Sequence, residues 1–237
     1  MQIAIDGPAG AGKSSVAKEV ARRLGLKYLD TGAMYRSITL KALREGICLH
    51  NGTLLAEIAR KCNLEIGYDE ILGNRIFLDG KDITPEIRSP EINKHVSIVS
   101  KSPELRHELV LLQKRVAKKS SGIVMEGRDI GTKVLENANI KFYIFASLEE
   151  RSRRRWKEMK AAGVVLPFND VMKEIAMRDS IDEKRDVSPL TIARDAVVID
   201  TTHYSQEEVI EKILNFIKDK SSKFDTRCLK NRTTDGV

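Results

Sequence analysis

Short apolar runs recur along the chain at Ile3–Ile5, Tyr28–Leu29, Ile123–Met125, Ile140–Phe145 and Ala196–Ile199. Each is too short for a helix, and between them the apolar residues fall three and four apart. Val16, Val20 and Leu24 form one such stripe, ending at Gly25. Val209, Ile213, Phe216 and Ile217 form another, introduced by the capping box Ser205-Gln206-Glu207-Glu208. Ser89-Pro90 and Ser102-Pro103 each set an N-cap Ser before a Pro at the first helical position. Apolar strands alternating with amphipathic helices predict an α/β chain: a central parallel sheet with helices on both faces, a three-layer sandwich.

Two stretches break this rhythm. From Leu64 to Asp82 the period becomes alternating, and Gly73-Asn74 and Asp79-Gly80 read as turns between short β-prone runs. This predicts a small antiparallel insertion at about 64–82. Residues Phe168–Val187 contain neither Gly nor Pro and lie between Pro167 and Pro189, which predicts one helix. The tail from Ser222 to Val237 has no apolar period and is expected to be disordered. The domain is therefore expected to occupy 1–221, and no internal repeat is found.

Composition narrows the class. The 237 residues are 41% hydrophobic and 32% charged, enough for one well-buried domain with an insertion. Three cysteines, Cys48, Cys62 and Cys228, show no C-x-x-C spacing, which points to a reducing cytoplasm and away from disulfides or zinc. No run of about 18 apolar residues occurs, so no membrane span is expected. The first strand starts at Gln2, so no targeting peptide is expected either. The net charge of +7 fits either a nucleic acid or a small polyanion. Only 5% of residues are aromatic, which is poor for stacking on single strands and favours the small substrate.

The first strand runs into Gly7-Pro8-Ala9-Gly10-Ala11-Gly12-Lys13-Ser14-Ser15, which holds the pattern G-x-x-x-x-G-K-S before a helix. In that context the glycine-rich loop turns its N–H groups around phosphate oxygens, and the helix N-terminus adds its positive dipole end. Lys13 is placed for the β/γ-phosphates of ATP, and the Ser14 hydroxyl for Mg²⁺. A base-reading N-K-x-D is missing: Asn93-Lys94 is followed by His95 and Val96. The strand Ile123–Met125 ends in one carboxylate, Glu126, followed by Gly127-Arg128-Asp129.

Arginines placed for a second anion take over from there. Thr31 and Arg36 follow the second strand, and Arg128 follows the third, on the sheet edge that carries the phosphate loop. Arg151, Arg154 and Arg155 share one helix face, which reads either as a solvated charged surface or as a lid stabilising transferred charge. At about 100° per residue, Val171, Ile175, Arg178, Asp182 and Arg185 fall within about 80°. That stripe turns inward and becomes charged, so its ions pair with each other or a ligand completes them.

In this order, GPAGAGKS, DTGAMYR, EIRSPEI, EGRDIG and R-x-x-x-D-x-x-R resemble the bacterial cytidylate kinase family over Ile3 to about Ile217. The resemblance implies phosphoryl transfer from ATP to CMP or dCMP, with Mg²⁺, by a monomeric cytoplasmic enzyme. It also implies an NMP-binding region at about 33–120 and a lid at about 150–168. By the same resemblance Arg36, Arg128 and Arg185 hold the acceptor phosphate, and Arg178 and Asp182 the sugar hydroxyl. Ser97, Arg106 and Asp129 read the base, and Arg155, with Arg154, serves the transferring group. Related proteins often carry Arg where Ile181 stands, off the inward stripe. Phosphorylation of UMP or AMP, and an ATP-dependent RNA-binding switch, are the competing readings.

Overall fold

The structure, a computed structural model, describes residues 1–69 and 73–231. Its strands are β1 (Gln2–Asp6), β2 (Lys27–Asp30), β3 (Leu64–Asp69), β4 (Gly73–Leu78), β5 (Lys81–Asp82), β6 (Ile123–Gly127), β7 (Ile140–Phe145) and β8 (Val197–Asp200). The helices are α1 (Lys13–Leu24), α2 (Thr31–Arg44), α3 (Gly52–Lys61), α4 (Pro90–Val99), α5 (Pro103–Lys118), α6 (Leu148–Ala161), α7 (Phe168–Lys184) and α8 (Gln206–Asn231). Five strands form a parallel sheet in the order β2-β6-β1-β7-β8.

Alternation along β1 divides the core between the two faces. Ile3 and Ile5 point to α1 and α8, where Val16, Val20, Ile213 and Ile217 cover them together with Phe142 and Ile144. Ala4 points the other way, toward Met34, Ile38, Leu55, Leu105 and Leu109 of α2, α3 and α5. Both clusters are buried, which makes the sheet the middle layer of three. Truncating Ile5, wholly inaccessible to solvent, to Ala would cost about 2–5 kcal/mol.

The helix starts follow the predicted chemistry. Ser89, Ser102 and Ser147 cap α4, α5 and α6 through Ile92, Leu105 and Glu150 N–H groups. Before α8, Ser205 and Glu208 bond reciprocally. The insertion is also present: β3, β4 and β5 form an antiparallel sheet whose Ile76 and Leu78 pack on Ala33 and Leu40 of α2. Asp79 and Gly80 make its second turn, with φ of 51° and 79°.

Three local expectations are corrected, and the cap of α2 is defined. Gly73-Asn74 is not a turn but the start of β4, paired with Asp69 and Tyr68; the β3–β4 connection, 70–72, lies outside the described residues. The N-cap of α2 is Asp30, whose Oδ1 accepts from Ala33 N–H at 3.1 Å, and Thr31 is the first helical residue. Helix α7 stops at Lys184, because Arg185 turns to ψ 142° and releases the chain toward Pro189. Helix α8 runs to Asn231, past the expected end at Ser221: with no Gly or Pro between Ser205 and Asn231, no stop signal interrupts it. The rest of the expected disordered tail, 232–237, lies outside the described residues.

Candidate active site

All five parallel strands point their C-terminal ends at one edge, and the loops there enclose a cavity of about 680 Å³. At the centre, β1 gives way to the glycine loop. Gly7 has φ 150°, and a Cβ there would lie 1.9 Å from the Ile144 carbonyl oxygen, so only glycine fits. Gly12 is left-handed, with φ 85°, and no side chain caps α1. The first-turn N–H groups of that helix are thereby left for a ligand. Residues Ala9 to Ser15 line the cavity, whereas Gly7 and Pro8 lie behind it. The Pro8 carbonyl accepts from Lys13 Nζ at 2.7 Å, which folds the lysine over its own loop.

Lys13 is buried, and burial together with the Arg128 guanidinium lowers its pKa. Glu126, at the end of β6, is pushed the opposite way by burial and by Asp30. Its carboxylate accepts from Tyr28 Oη at 2.8 Å and from the Ser14 hydroxyl. The Glu126 carbonyl accepts from Thr31 Oγ1 at 2.7 Å. Lys13, Ser14 and Glu126 therefore meet at the phosphate loop, each near-neighbour to the next.

Across the cavity stands a second cationic group. Arg36 pairs with Asp30 at 2.6 Å, and Arg128 Nε donates to Asp182 at 2.7 Å. Arg185 donates to Asp182 at 3.4 Å and lies 3.8 Å from Asp129. Arg106, beneath the Tyr35 ring, donates to Asp129 at 2.5 Å and to the Ser100 carbonyl at 3.1 Å. Burial opposes the charge on Arg128, yet Asp182 more than offsets it and raises the pKa. Burial and Arg128 lower Arg178 to about 10, and among the described residues no hydrogen bond or ion pair engages it. Among the described residues Arg36 Nε, Arg106 Nε and one terminal nitrogen of Arg185 are buried without a hydrogen-bond partner, the last of them 3.8 Å from Asp129. A cluster with this many unspent donors is built to take an anion.

The expected inward stripe of α7 is therefore real, with Val171 and Ile175 buried and Asp182 at its charged end. Arg185 joins it from the helix C-cap rather than from a helical turn. Two other sites require correction. Ser97, half-buried on α4, is not among the cavity-lining residues; Asn93, Val96 and Ser100 are. Arg151 belongs neither to a solvated surface nor to a lid facing the ligand. It is buried, donating to the carbonyls of Ala9 at 3.0 Å and Ala146 at 2.9 Å and pairing with Asp179. Arg154 donates to the Thr201 carbonyl at 2.6 Å, while Arg155, half-exposed, holds only Glu158, at 3.3 Å, among the described residues. Both line the cavity.

Some participants carried no sequence signal. Asp179 accepts from Ala9 N–H at 3.2 Å, so the main chain of Ala9 is clamped on both sides of its Cα, by α7 at the N–H and by α6 at the carbonyl. Thr201, Tyr204 and Gln206, between β8 and α8, close the cavity near the glycine loop. These are common residue types in an unpatterned loop, and only the strand order brings them to this edge.

The arrangement thus offers one phosphate cradle and a separate anion site facing it. Comparison with known proteins gives the family. The sequence profile described as cytidylate kinase matches residues 3–219. The cytidylate kinase of Caldanaerobacter subterraneus subsp. tengcongensis is 50% identical over 218 residues, spanning 92% of this chain and 95% of that protein. The one from Desulfitobacterium hafniense is 49% identical over 220 residues, spanning 93% and 94%. The one from Bacillus subtilis is 46% identical over 221 residues, spanning 93% and 98%. The chain belongs to the cytidylate kinase family.

Proposed function

We infer that the protein transfers a phosphoryl group from ATP to CMP or dCMP, giving ADP and CDP or dCDP. The observation that carries this reading is the pairing of the glycine loop and Lys13 with a facing set of incompletely satisfied arginines in one cavity. A motor or switch has no use for the second set, whereas a kinase must hold an acceptor phosphate in line with its donor. The acceptor is already an anion, so no strong base is required. Positioning and charge neutralisation carry the reaction.

Arg36, Arg128 and Arg185 are assigned to the acceptor phosphate. Arg178 and Asp182 are assigned to the sugar, and Arg106 with Asp129 to the base. Ser97 keeps its assignment to the base only if substrate draws α4 inward. Lys13 holds the β/γ-phosphates, and Arg155, tethered loosely, is free to swing onto the transferring group. Mg²⁺ fits the oxygen donors at Ser14 and Glu126, which already touch in a cavity flanked by Asp30. Bound there, it would neutralise phosphate charge. Asp129 is a poorer ligand, because Arg106 and Arg185 occupy it. Action as a cytoplasmic monomer is carried over from the resemblance to the family.

The test is ADP release measured across CMP, dCMP, UMP and AMP. Turnover confined to the cytidine nucleotides is expected. Equal use of UMP or AMP would replace this reading with another kinase.

A further inference from the structure

Asp6 is the last residue of β1 and is buried. Through its main chain it leads directly into Gly7 and the glycine loop. Its side chain turns away from that loop, toward β6. One carboxylate oxygen accepts from Ile130 N–H at 2.8 Å and the other from Gly131 N–H at 2.7 Å. Those two groups open the π-helical turn Ile130–Val134, which follows Arg128 and Asp129 without a spacer. Asp6 also stands opposite Gly127 in the β1–β6 register. A turn of this rare kind needs external partners to hold its first amides, and such turns are frequent at functional sites.

The contact is closely fitted. A Cβ on Gly131 would lie 3.3 Å from Asp6 Oδ2 and 3.1 Å from Lys141 Cδ, so a glycine is what lets the amide approach. Among the described residues no side-chain cation bonds the Asp6 carboxylate. Burial outweighs the two amide bonds and raises its pKa to about 6, with Asp129 repelling it and Lys13 attracting it. At neutral pH the ionised form thus costs stability. What the carboxylate offers in return is two acceptors in one plane, which an amide of the same shape cannot supply.

We propose that Asp6 is a positioning residue for the acceptor nucleotide: it fixes the Gly127–Gly131 turn so that Arg128 and Asp129 meet CMP at a set distance from the glycine loop. The proposal rests on the reading of Arg128 and Asp129 as acceptor ligands. One residue then registers the two halves of the site, its backbone continuous with the donor cradle and its side chain holding the acceptor turn.

The test compares Asp6→Asn, Gly131→Ala and Arg128→Ala by calorimetric titration with CMP alone and with ATP alone, alongside thermal unfolding. Asp6→Asn keeps one acceptor, sheds the charge, and should leave the unfolding midpoint within a few degrees. It should still weaken CMP about tenfold or more while ATP changes less than about twofold. Gly131→Ala keeps the carboxylate and crowds the same contact, so it should reproduce the selective loss, and it decides the matter if Asp6→Asn does not fold. Unchanged CMP affinity in Asp6→Asn or Gly131→Ala would overturn the proposal. So would equal losses of CMP and ATP together with a lowered midpoint, the signature of a structural peg. Arg128→Ala separates the premises: if it leaves CMP binding intact, the acceptor-site reading itself fails.

Discussion

Replacing Asp129 with Ala tests base selection and can be sized from the structure. The carboxylate lies between Arg106 at 2.5 Å and Arg185 at 3.8 Å, all three nearly inaccessible to solvent. Removing it takes the carboxylate partner from the buried Arg106, which keeps the Ser100 carbonyl, while Arg185 keeps Asp182; breaking a buried pair in this way costs about 3–5 kcal/mol. At about 2–4 °C per kcal/mol for a domain of this size, the midpoint should fall by roughly 6–20 °C. The functional effect must therefore be read as a ratio. Cytosine presents an amine at C4 and an acceptor at N3, and uracil presents the reverse at both. A carboxylate facing C4 and a guanidinium facing N3 favour cytosine, whereas uracil leaves buried partners unsatisfied, at about 1–3 kcal/mol or more. Steady-state kcat/KM for CMP and for UMP should be measured on one preparation, at a temperature well below the variant's midpoint. Both substrates then see the same folded fraction. The CMP-to-UMP ratio should fall by about tenfold or more, with the KM for ATP nearly unchanged. If CMP and UMP fall in parallel, or the loss follows Mg²⁺ concentration, Asp129 does not read the base.

Lys13→Ala should abolish transfer while CMP binding, measured alone, survives; turnover above about a tenth of wild type would contradict the loop assignment. Arg155→Ala should lower kcat far more than it raises either KM, because its only described tether is an exposed bond to Glu158. A change confined to KM would return Arg155 to the solvated face. A chain ending at Ser221 should keep activity and its unfolding midpoint, since Val209, Ile210, Ile213 and Ile217 supply the buried contacts of α8. Unfolding of that shortened chain would show that the last turns of α8 carry structure.

The parts legible in the sequence were those governed by near neighbours. Gly7, Gly12 and Lys13 announce their loop because strand, turn and helix adjoin, and serine caps work over three residues. Arg151 was misread for the opposite reason. Helical periodicity places it with Arg154 and Arg155, but whether that face meets water or the Ala9 carbonyl depends on α6 lying against the glycine loop, a contact between residues far apart in the chain. Asp179 was invisible on the same ground. Arg185 stands beside Asp182 by a route the periodicity does not give, since a long side chain reaches it from an extended residue as well as from a helix. Gly73-Asn74 shows that turn chemistry loses to ladder pairing when the strands on either side are in register.

The clamp on Ala9 has a consequence for anyone recombining these enzymes. Arg151 from α6 and Asp179 from α7 recognise the main-chain carbonyl and N–H of one residue, on the two peptide units that flank its Cα, so neither depends on which side chain Ala9 carries. A graft that imports a foreign α6 therefore need not bring its own glycine loop. It must bring its own partner on α7, or the guanidinium arrives against a mismatched neighbour and the junction opens. Crossover points for chimeras belong before Ser147 and after Lys184, so that both halves of the clamp travel as one cassette.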